Sequence, residues 1–168
     1  LFNYPLSVGE FYSIPFFYFE PKLCFVALDY NQRPAGYIVG TSNTLLYNSW
    51  LNSNWLPPLQ PLYKGACAKS EDEQTVISEI IKGQGQGLWE HSGYSAQLRI
   101  DLLESIRGEG LGRGLVEEFI TKLYEANVPG VHLRISLKNK DTIGFYEKMG
   151  FNILETTEHG YYMGMKLK

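Results

Sequence analysis

Hydrophobic and polar side chains in the second half of the chain follow two different periods. Residues 97–102 alternate strictly between polar and apolar side chains, and residues 131–137 form a second alternating segment, as half-buried strands do. Between them, apolar side chains recur three or four positions apart from Leu115 to Leu123, which predicts an amphipathic helix. A strand, a helix and a strand in this order predict parallel neighbours joined by a crossover helix.

A second helix and two further strands follow. Asn139 is predicted to be the N-cap of this helix, and Gly150 to be the residue that terminates it. Residues 151–155 and 161–167 are predicted strands joined by a turn at residues 159–160. The second half of the chain therefore predicts an α/β or α+β fold.

The first half is less regular. Residues 23–28 and 36–39 are rich in β-formers and flank a polar turn, which predicts a hairpin. Residues 71–82 have the apolar spacing of an amphipathic helix, and the glycine-rich residues 83–87 predict a loop after it. Residues 1–20 are interpreted mostly as an aromatic helix.

Composition and charge exclude several classes of protein. The 168 residues fit one domain, and 44% hydrophobic with 20% charged residues is a globular composition. The net charge is -3 and basic residues form no cluster, so nucleic acid is excluded as a predicted partner. Residues 34–63 carry no charge, yet polar residues interrupt them too often for a transmembrane helix. No membrane partner is predicted.

Cysteine and histidine usage predicts neither disulfides nor a metal. Cys24 and Cys67 are too few for a disulfide framework, which favours a reducing cytoplasm. The three histidines and two cysteines show no metal-ligand spacing, so no metal is expected. The residues after Leu1 do not resemble a signal peptide, and the chain is interpreted as a mature or trimmed piece.

The chemistry of the sequence centres on four glycines between a strand and a helix: Gly108, Gly110, Gly112 and Gly114. Glycine tolerates positive φ and has no Cβ, so several amide N–H groups can converge on one anion at the helix N-terminus. The spacing fits neither the dinucleotide fingerprint nor the P-loop, because no glycine stands at the sixth position and no lysine follows. The turn therefore predicts a phosphate site of another kind.

Two segments resemble the GNAT superfamily of N-acetyltransferases. RGEGLG at residues 107–112 matches the pattern Arg/Gln-x-x-Gly-x-Gly/Ala of the acetyl-coenzyme A motif, and NKDTIGFYEKMGF at residues 139–151 matches a second family element. The resemblance covers roughly residues 96–168, and the hairpin at 23–41 fits the central strands of the family. It implies the GNAT fold, a mixed central β-sheet flanked by helices with splayed central parallel strands.

Three further segments resemble the acetyltransferase-like domain at the C-terminal end of animal O-GlcNAc hydrolases and its bacterial stand-alone relatives. They are CFVALDYNQRPAGYIVGT, WLPPLQPLY and GVHLRISLKNKDTIGFYEKMGF. The cofactor glycines are eroded in the animal domain, whereas Gly110 and Gly112 are present here, which favours an enzyme that binds its cosubstrate. We expect one GNAT-like domain over residues 1–168 with an insertion at about 42–95.

The resemblance implies where acetyl-coenzyme A binds. Amides of the glycine turn would bind the pyrophosphate and two arginines would supply charge, while the pantetheine arm would run along the strand edge. The implied cofactor-binding residues are Ile100, Leu102, Arg107, Gly108, Glu109, Gly110, Leu111, Gly112, Arg113 and Asn139.

The resemblance also implies a general acid. Tyr146 holds the position from which the tyrosine of the family protonates the leaving thiolate. The alternative is that this ring only packs on the helix face beside Phe145.

The general base is less defined, because no glutamate stands early in the strand at 97–102, where some members keep one. Asp101 is the first candidate, acting directly or through water, and a salt bridge with Arg99 is the equally weighted alternative. His91 and His132 are weaker candidates, and water alone is a further one.

The sequence thus predicts an N-acetyltransferase that moves acetyl from acetyl-coenzyme A to a primary amine. The alternative is a non-catalytic domain that binds acyl-coenzyme A or a protein partner. The sequence does not identify the acceptor. Four aromatic residues of the insertion are candidates for its pocket, and a hydrophobic lid or a homodimer surface is the open alternative: Tyr47, Trp50, Trp55 and Tyr63.

Overall fold

The computed structural model describes residues 3–83, 93–158 and 160–168. The described residues of Leu1–Pro21 and Leu45–Trp89 form one compact unit, and those of Lys22–Thr44 and Glu90–Lys168 form another. That the two units constitute one domain with an insertion stays a prediction.

The helices and strands are named here in chain order. The helices are α1 (Ser7–Tyr12), α2 (Ile14–Phe19), α3 (Thr44–Trp50), α4 (Leu56–Tyr63), α5 (Glu71–Lys82), α6 (Leu111–Glu125) and α7 (Ile143–Lys148). The strands are β1 (Phe25–Leu28), β2 (Pro34–Thr41), β3 (Ala96–Leu102), β4 (Gly130–Ile135), β5 (Asn152–Thr157) and β6 (Gly160–Lys166).

The described part of the second unit contains a six-stranded mixed sheet in the order β1-β2-β3-β4-β6-β5. Strands β3 and β4 are parallel, and the other neighbours are antiparallel. Helix α6 joins β3 to β4, as the hydrophobic pattern predicts. The sheet confirms the mixed α/β architecture expected from the sequence.

Helix α6 packs on the sheet through its apolar stripe. Val116, Phe119 and Leu123 are fully buried and belong to one core cluster with side chains of all the strands except β5. Their spacing of three and four residues places them on one helical face. The packed helix fixes the glycine turn at its N-terminal end against the sheet.

Gly40 on β2 lets this helix approach the sheet, and its replacement is expected to destabilise the fold. An added Cβ would lie 2.2 Å from the main-chain oxygen of Gln97 and 2.5 Å from Cζ of Phe119. Moving either the paired strand or the buried ring to make room would cost free energy. Gly40→Ala should therefore lower the free energy of unfolding by about 3 kcal/mol or more. Urea denaturation measures this change.

Gly144→Ala is the matched control for this prediction. Gly144 is exposed on α7, and an added Cβ would meet nothing within 4 Å. Alanine is the better helix former, so this variant should be neutral or up to about 1 kcal/mol more stable. Equal unfolding midpoints for the Gly40 and Gly144 variants would contradict the tight contact between β2 and α6.

Aromatic rings form the centre of the first unit. Phe16 and Tyr47 are stacked, with centroids 4.1 Å apart. Trp55 Nε1 donates to the main-chain oxygen of Glu10 at 2.7 Å, and the Tyr63 hydroxyl donates to the carboxylate of Glu10. Tyr47 and Tyr63 are thus buried core residues of this unit. An acceptor pocket lined by the aromatic residues of the insertion stays a prediction.

Two expectations about the first half need correction. The described part of this segment, residues 3–20, contains two short helices instead of one, because Pro15 has no N–H to continue the hydrogen bonding of α1. The segment at 42–70, for which no helix is predicted, is helical over most of its length. There Pro57 lies in the first turn of α4, where a missing N–H costs nothing, and a π-helical turn, Leu51–Trp55, precedes it.

The expected N-cap at Asn139 is also wrong. The chain after β4 forms a 3₁₀ helix, Leu137–Thr142, and α7 begins only at Ile143. Ser136 caps the 3₁₀ helix instead, because its Oγ accepts a hydrogen bond from the amide of Lys138 at 3.4 Å. Asn139 therefore lies inside this connection, on its exposed surface.

Several predicted features fall wholly or partly outside the described residues. Residues 84–87 of the glycine-rich loop, the candidate base His91, and His159 of the last turn belong to this group. Gly83, which ends α5, has a φ of +76°. Within the described ranges, no helix is both long and apolar enough to cross a membrane.

Candidate active site

The two central parallel strands separate soon after they meet. Strand β3 pairs with β4 only at Ala96↔Val131 and Gln97↔His132, whereas β2 stays paired with it as far as Gly36↔Leu102. In the described part of the chain, the rest of β3 has no strand partner on its β4 side. This confirms the expected splay. Main-chain groups on this edge can hydrogen-bond an extended molecule that carries amides.

The glycine turn lies directly after this open edge. Gly108 and Gly110 have φ values of +85° and +83°, which glycine adopts without strain. An added Cβ at either would meet nothing within 4 Å, so the space beside the main chain is open. Gly112 is buried, and a Cβ there would lie 2.8 Å from Cδ1 of Leu102.

This turn has the properties of an anion site. Gly110 is the N-cap of α6 and has no side chain to occupy the first amides of that helix. The helix runs over 15 residues, so the positive end of its dipole adds to the field of those amides. Leu111 and Glu109 complete the turn, with Glu109 exposed to solvent.

Two arginines flank the turn, and each has a weak solvent-side partner. Nε of Arg113 donates to Glu117 at 2.7 Å, and this hydrogen bond raises the pKa of the Arg113 guanidinium. Arg107 lies 3.8 Å from the carboxylate of Glu104, and its Nη2 donates to the Leu102 oxygen at 3.4 Å. Because exposed ion pairs contribute little, both guanidinium groups can turn to a bound anion.

The end of helix α7 fixes Tyr146. The amide of Gly150 donates to the Glu147 oxygen at 3.0 Å and that of Phe151 to the Tyr146 oxygen at 3.0 Å, which is a Schellman motif. Gly150 has a φ of +94°, confirming its predicted place after the helix. The Tyr146 ring packs against Phe151 and Phe145, at centroid distances of 5.7 and 5.1 Å.

The Tyr146 hydroxyl is suited to donate a proton. Its side chain is 8% exposed, and burial together with the nearby charge of Asp101 raises its pKa to about 12. No described residue hydrogen-bonds to this hydroxyl. Tyr146 therefore both packs in the core, as the alternative interpretation holds, and keeps a proton that is free for a bound group.

Asp101 lies on β3 beside this tyrosine. Its Oδ2 accepts a hydrogen bond of 2.7 Å from the hydroxyl of Tyr37, the residue opposite it on β2. Among the described residues it forms no ion pair with Arg99, so that alternative for Asp101 is not observed. The side chain is exposed, which leaves it accessible to a substrate.

The electrostatic coupling of Asp101 and Tyr146 gives a direct test. Asp101→Asn removes the negative charge, so the pKa of Tyr146 should fall below about 12. It should stay above 10 because burial, the larger cause, is unchanged. Titration of ¹³Cζ-labelled tyrosine by NMR, with Tyr146→Phe to assign the signal, measures the shift. An unchanged titration in the Asp101→Asn protein would show that the two groups are not coupled.

Three further residues predicted to bind the cofactor lie on β3 and before α7. Ile100 and Leu102 are partly buried on β3, at the open edge. Asn139 lies in the 3₁₀ helix that leads into α7, and its main-chain oxygen accepts a hydrogen bond of 2.7 Å from the Thr142 hydroxyl. The cofactor role of these three residues stays a prediction.

His132, a weaker candidate for the general base, is buried on β4. It is 5% exposed, and its Nδ1 lies 2.9 Å from the main-chain oxygen of Tyr94. It pairs with Gln97 at the last register position before β3 and β4 separate. Across the described ranges, no group of three or more His, Cys, Asp or Glu side chains could hold a metal ion.

Sequence reasoning missed Tyr37. Its place on the second strand of a predicted hairpin is visible in the sequence, but the register that sets it opposite Asp101 depends on pairing with a strand about 60 residues further along.

Comparison with known proteins gives a consistent result. The profile of the Acetyltransferase (GNAT) family matches residues 2–151. The crystal structure of SsHAT is 30% identical with a TM-score of 0.83, over 96% of this chain and 81% of that chain. Naa20 of Chaetomium thermophilum, solved in complex with a bisubstrate analogue, is 18% identical with a TM-score of 0.55, over 91% of this chain and 70% of that chain, and supports the fold alone.

One curated relative adds a partial match. The peptidyl-lysine N-acetyltransferase YjaB of Salmonella typhimurium is 36% identical over 53 residues, which is 32% of this chain and 33% of that protein. The match thus spans about a third of the length of this relative. The family match covers most of the chain, so the protein belongs to the GNAT family of acetyltransferases.

Proposed function

We propose that the protein is an N-acetyltransferase that moves the acetyl group of acetyl-coenzyme A to a primary amine. The observation that carries the proposal is that the buried Tyr146 keeps its proton while the carboxylate of Asp101, whose charge acts on it, is accessible. Both side chains belong to the unit that contains the open glycine turn. A proton donor and a proton acceptor are the two groups that amine acylation requires.

The glycine turn supports acetyl-coenzyme A as the donor. Its amides and the α6 N-terminus suit a pyrophosphate, and Arg107 and Arg113 are long and exposed enough to add charge-assisted hydrogen bonds. The unpaired edge of β3, at Ile100 and Leu102, suits the amides of the pantetheine arm. Asn139 is proposed to contact the same arm from the segment before α7.

The reaction then follows from these groups. The amine nitrogen forms a bond to the acyl carbon, and the carbon–sulfur bond breaks after a tetrahedral oxyanion has formed. Tyr146 gives its proton to the departing thiolate, while Asp101 takes the proton that the amine loses, directly or through water. Exchange with solvent restores both groups, so atoms and charges balance over one turnover.

The sequence resemblance to the C-terminal domain of O-GlcNAc hydrolases favours a second candidate, a domain that binds acyl-coenzyme A or a protein without turnover. The presence of Gly110 and Gly112, which are eroded in that animal domain, supports the catalytic candidate instead. A cytoplasmic location and a homodimer stay predictions, as does the absence of a nucleic-acid partner, for which the charge of -3 argues.

Thermal shift and thiol release together separate these candidates. Acetyl-coenzyme A at 100 times its dissociation constant should stabilise the fold by about 2.7 kcal/mol. A panel of a lysine peptide, spermidine and glucosamine then reports transfer as free thiol. No stabilisation would contradict both the acetyltransferase and the acyl-coenzyme A-binding domain and would favour a protein-binding domain. Stabilisation without thiol release from any amine would favour the acyl-coenzyme A-binding domain.

A further inference from the structure

Tyr37 and Asp101 form a hydroxyl–carboxylate pair across two strands. They are opposite each other in the register of β2 and β3, and the Tyr37 hydroxyl lies 2.7 Å from Oδ2 of Asp101. Tyr37 is half-buried and Asp101 is exposed. A hydrogen bond from a neutral hydroxyl to a charged carboxylate is stronger than one between neutral groups.

The pair leaves one oxygen of the Asp101 carboxylate without a partner among the described residues. Oδ2 is held by Tyr37, and no described residue hydrogen-bonds to Oδ1 of Asp101. An aspartate on an exposed strand position otherwise samples several rotamers. The hydrogen bond restricts that freedom near the buried Tyr146, whose pKa is raised by burial and by the charge of Asp101.

Gly36 makes this register possible. A Cβ at Gly36 would lie 2.9 Å from the main-chain oxygen of Asp101 and 2.3 Å from Cδ2 of Leu102. The glycine therefore lets β2 approach β3 closely at the position next to Tyr37. The close approach brings the tyrosine ring within reach of a short aspartate side chain.

We propose that Tyr37 is a positioning residue for acetyl transfer, which holds one oxygen of Asp101 and thereby presents the other to the ammonium group of a cationic primary amine. The inference rests on the proposed function and deepens it, because it names the charge of the acceptor. A fixed anionic oxygen attracts an ammonium and takes its proton, whereas it repels an anionic acceptor.

A purely structural role for the pair predicts different behaviour. Cross-strand pairs of this kind contribute modestly to sheet stability, so Tyr37→Phe would then lower the melting temperature and leave kcat/KM for the amine unchanged. A positioning role lowers kcat/KM for the amine and leaves the KM for acetyl-coenzyme A unchanged.

The test uses Tyr37→Phe, Asp101→Asn and the double variant of the whole chain, assayed by thiol release with the panel amine that reacts fastest. Tyr37→Phe should lower kcat/KM for the amine about tenfold, and Asp101→Asn about 100-fold or more. The double variant should match Asp101→Asn within about twofold, because the proposed role of Tyr37 is exerted through that carboxylate. Tyr30→Phe, which changes an 87% exposed tyrosine between β1 and β2, is the control and should keep wild-type kinetics.

Each outcome bears on one claim. Wild-type kinetics in Tyr37→Phe, or losses that add fully in the double variant, would overturn the role of Tyr37 while acetyl transfer stands. Binding of acetyl-coenzyme A without thiol release from any panel amine would overturn the proposed function itself. Faster transfer to spermidine and the lysine peptide than to glutamate, a primary amine with a net negative charge, would support the cationic acceptor. Equal or faster transfer to glutamate would overturn it.

Discussion

Replacing Gly110 by aspartate is expected to lower the affinity for acetyl-coenzyme A by about 100-fold or more. Gly110 has a φ of +83° and open space at its Cβ position, and aspartate tolerates this left-handed conformation better than most residues. The fold should therefore persist. The new carboxylate would lie where the proposed pyrophosphate binds, and like charges about 4 Å apart repel by about 1 to 4 kcal/mol each near a protein surface.

Gly110→Asn is the matched control for this prediction. Asparagine has nearly the shape of aspartate and tolerates the same backbone conformation, but it carries no charge. Isothermal titration calorimetry of both variants, at low and high salt, isolates the charge effect, because added salt screens the repulsion. Equal affinities of the two variants for acetyl-coenzyme A would place its pyrophosphate away from this turn.

Tyr146→Phe is expected to reduce kcat by about 100-fold to 10,000-fold. The hydroxyl is the proposed proton donor to the thiolate, and its pKa of about 12 keeps it protonated at neutral pH. Because no described residue hydrogen-bonds to it, its removal should leave no unsatisfied group and little change in stability. The ring contacts with Phe145 and Phe151 do not involve the hydroxyl and should persist.

Steady-state kinetics with thiol detection measure this loss. The KM for acetyl-coenzyme A should be unchanged, since the missing interaction develops only during bond cleavage. Tyr124→Phe, at a 49% exposed position of α6, serves as the control. If kcat of Tyr146→Phe stayed within threefold of the wild-type value, the thiolate would take its proton elsewhere and Tyr146 would be a packing residue only.

Local patterns predict the second unit well and the first unit poorly. The hydrophobic periodicity predicts the crossover β3-α6-β4, which the structure contains. Helix α5 has the predicted bounds, Glu71–Lys82. The helices α3 and α4 were missed because Pro57, Pro58 and several Asn and Ser residues disfavour helix by intrinsic propensity. Burial of Leu51, Leu56 and Tyr63 overrides that propensity.

The sequence likewise predicts some residues of the candidate site and not others. The glycine turn and Tyr146 are found from the sequence because each lies in a short contiguous segment whose spacing reflects local geometry. Tyr37 is not, because its pairing with Asp101 depends on long-range register. Asn139 was misplaced because a good N-cap residue does not decide whether a 3₁₀ turn precedes the helix.

The separation of β3 and β4 after Gln97↔His132 also bears on how the protein behaves in the absence of the proposed cosubstrate. A strand edge with unpaired amides and carbonyls can pair with a strand of another chain. Most folds prevent such pairing with charged side chains or by covering the edge with another element. A pantetheine arm that occupies this edge would act as a removable cover. We therefore expect the unliganded protein to aggregate faster on storage or heating than the protein saturated with coenzyme A. The two samples are compared under conditions in which the same fraction of each is unfolded.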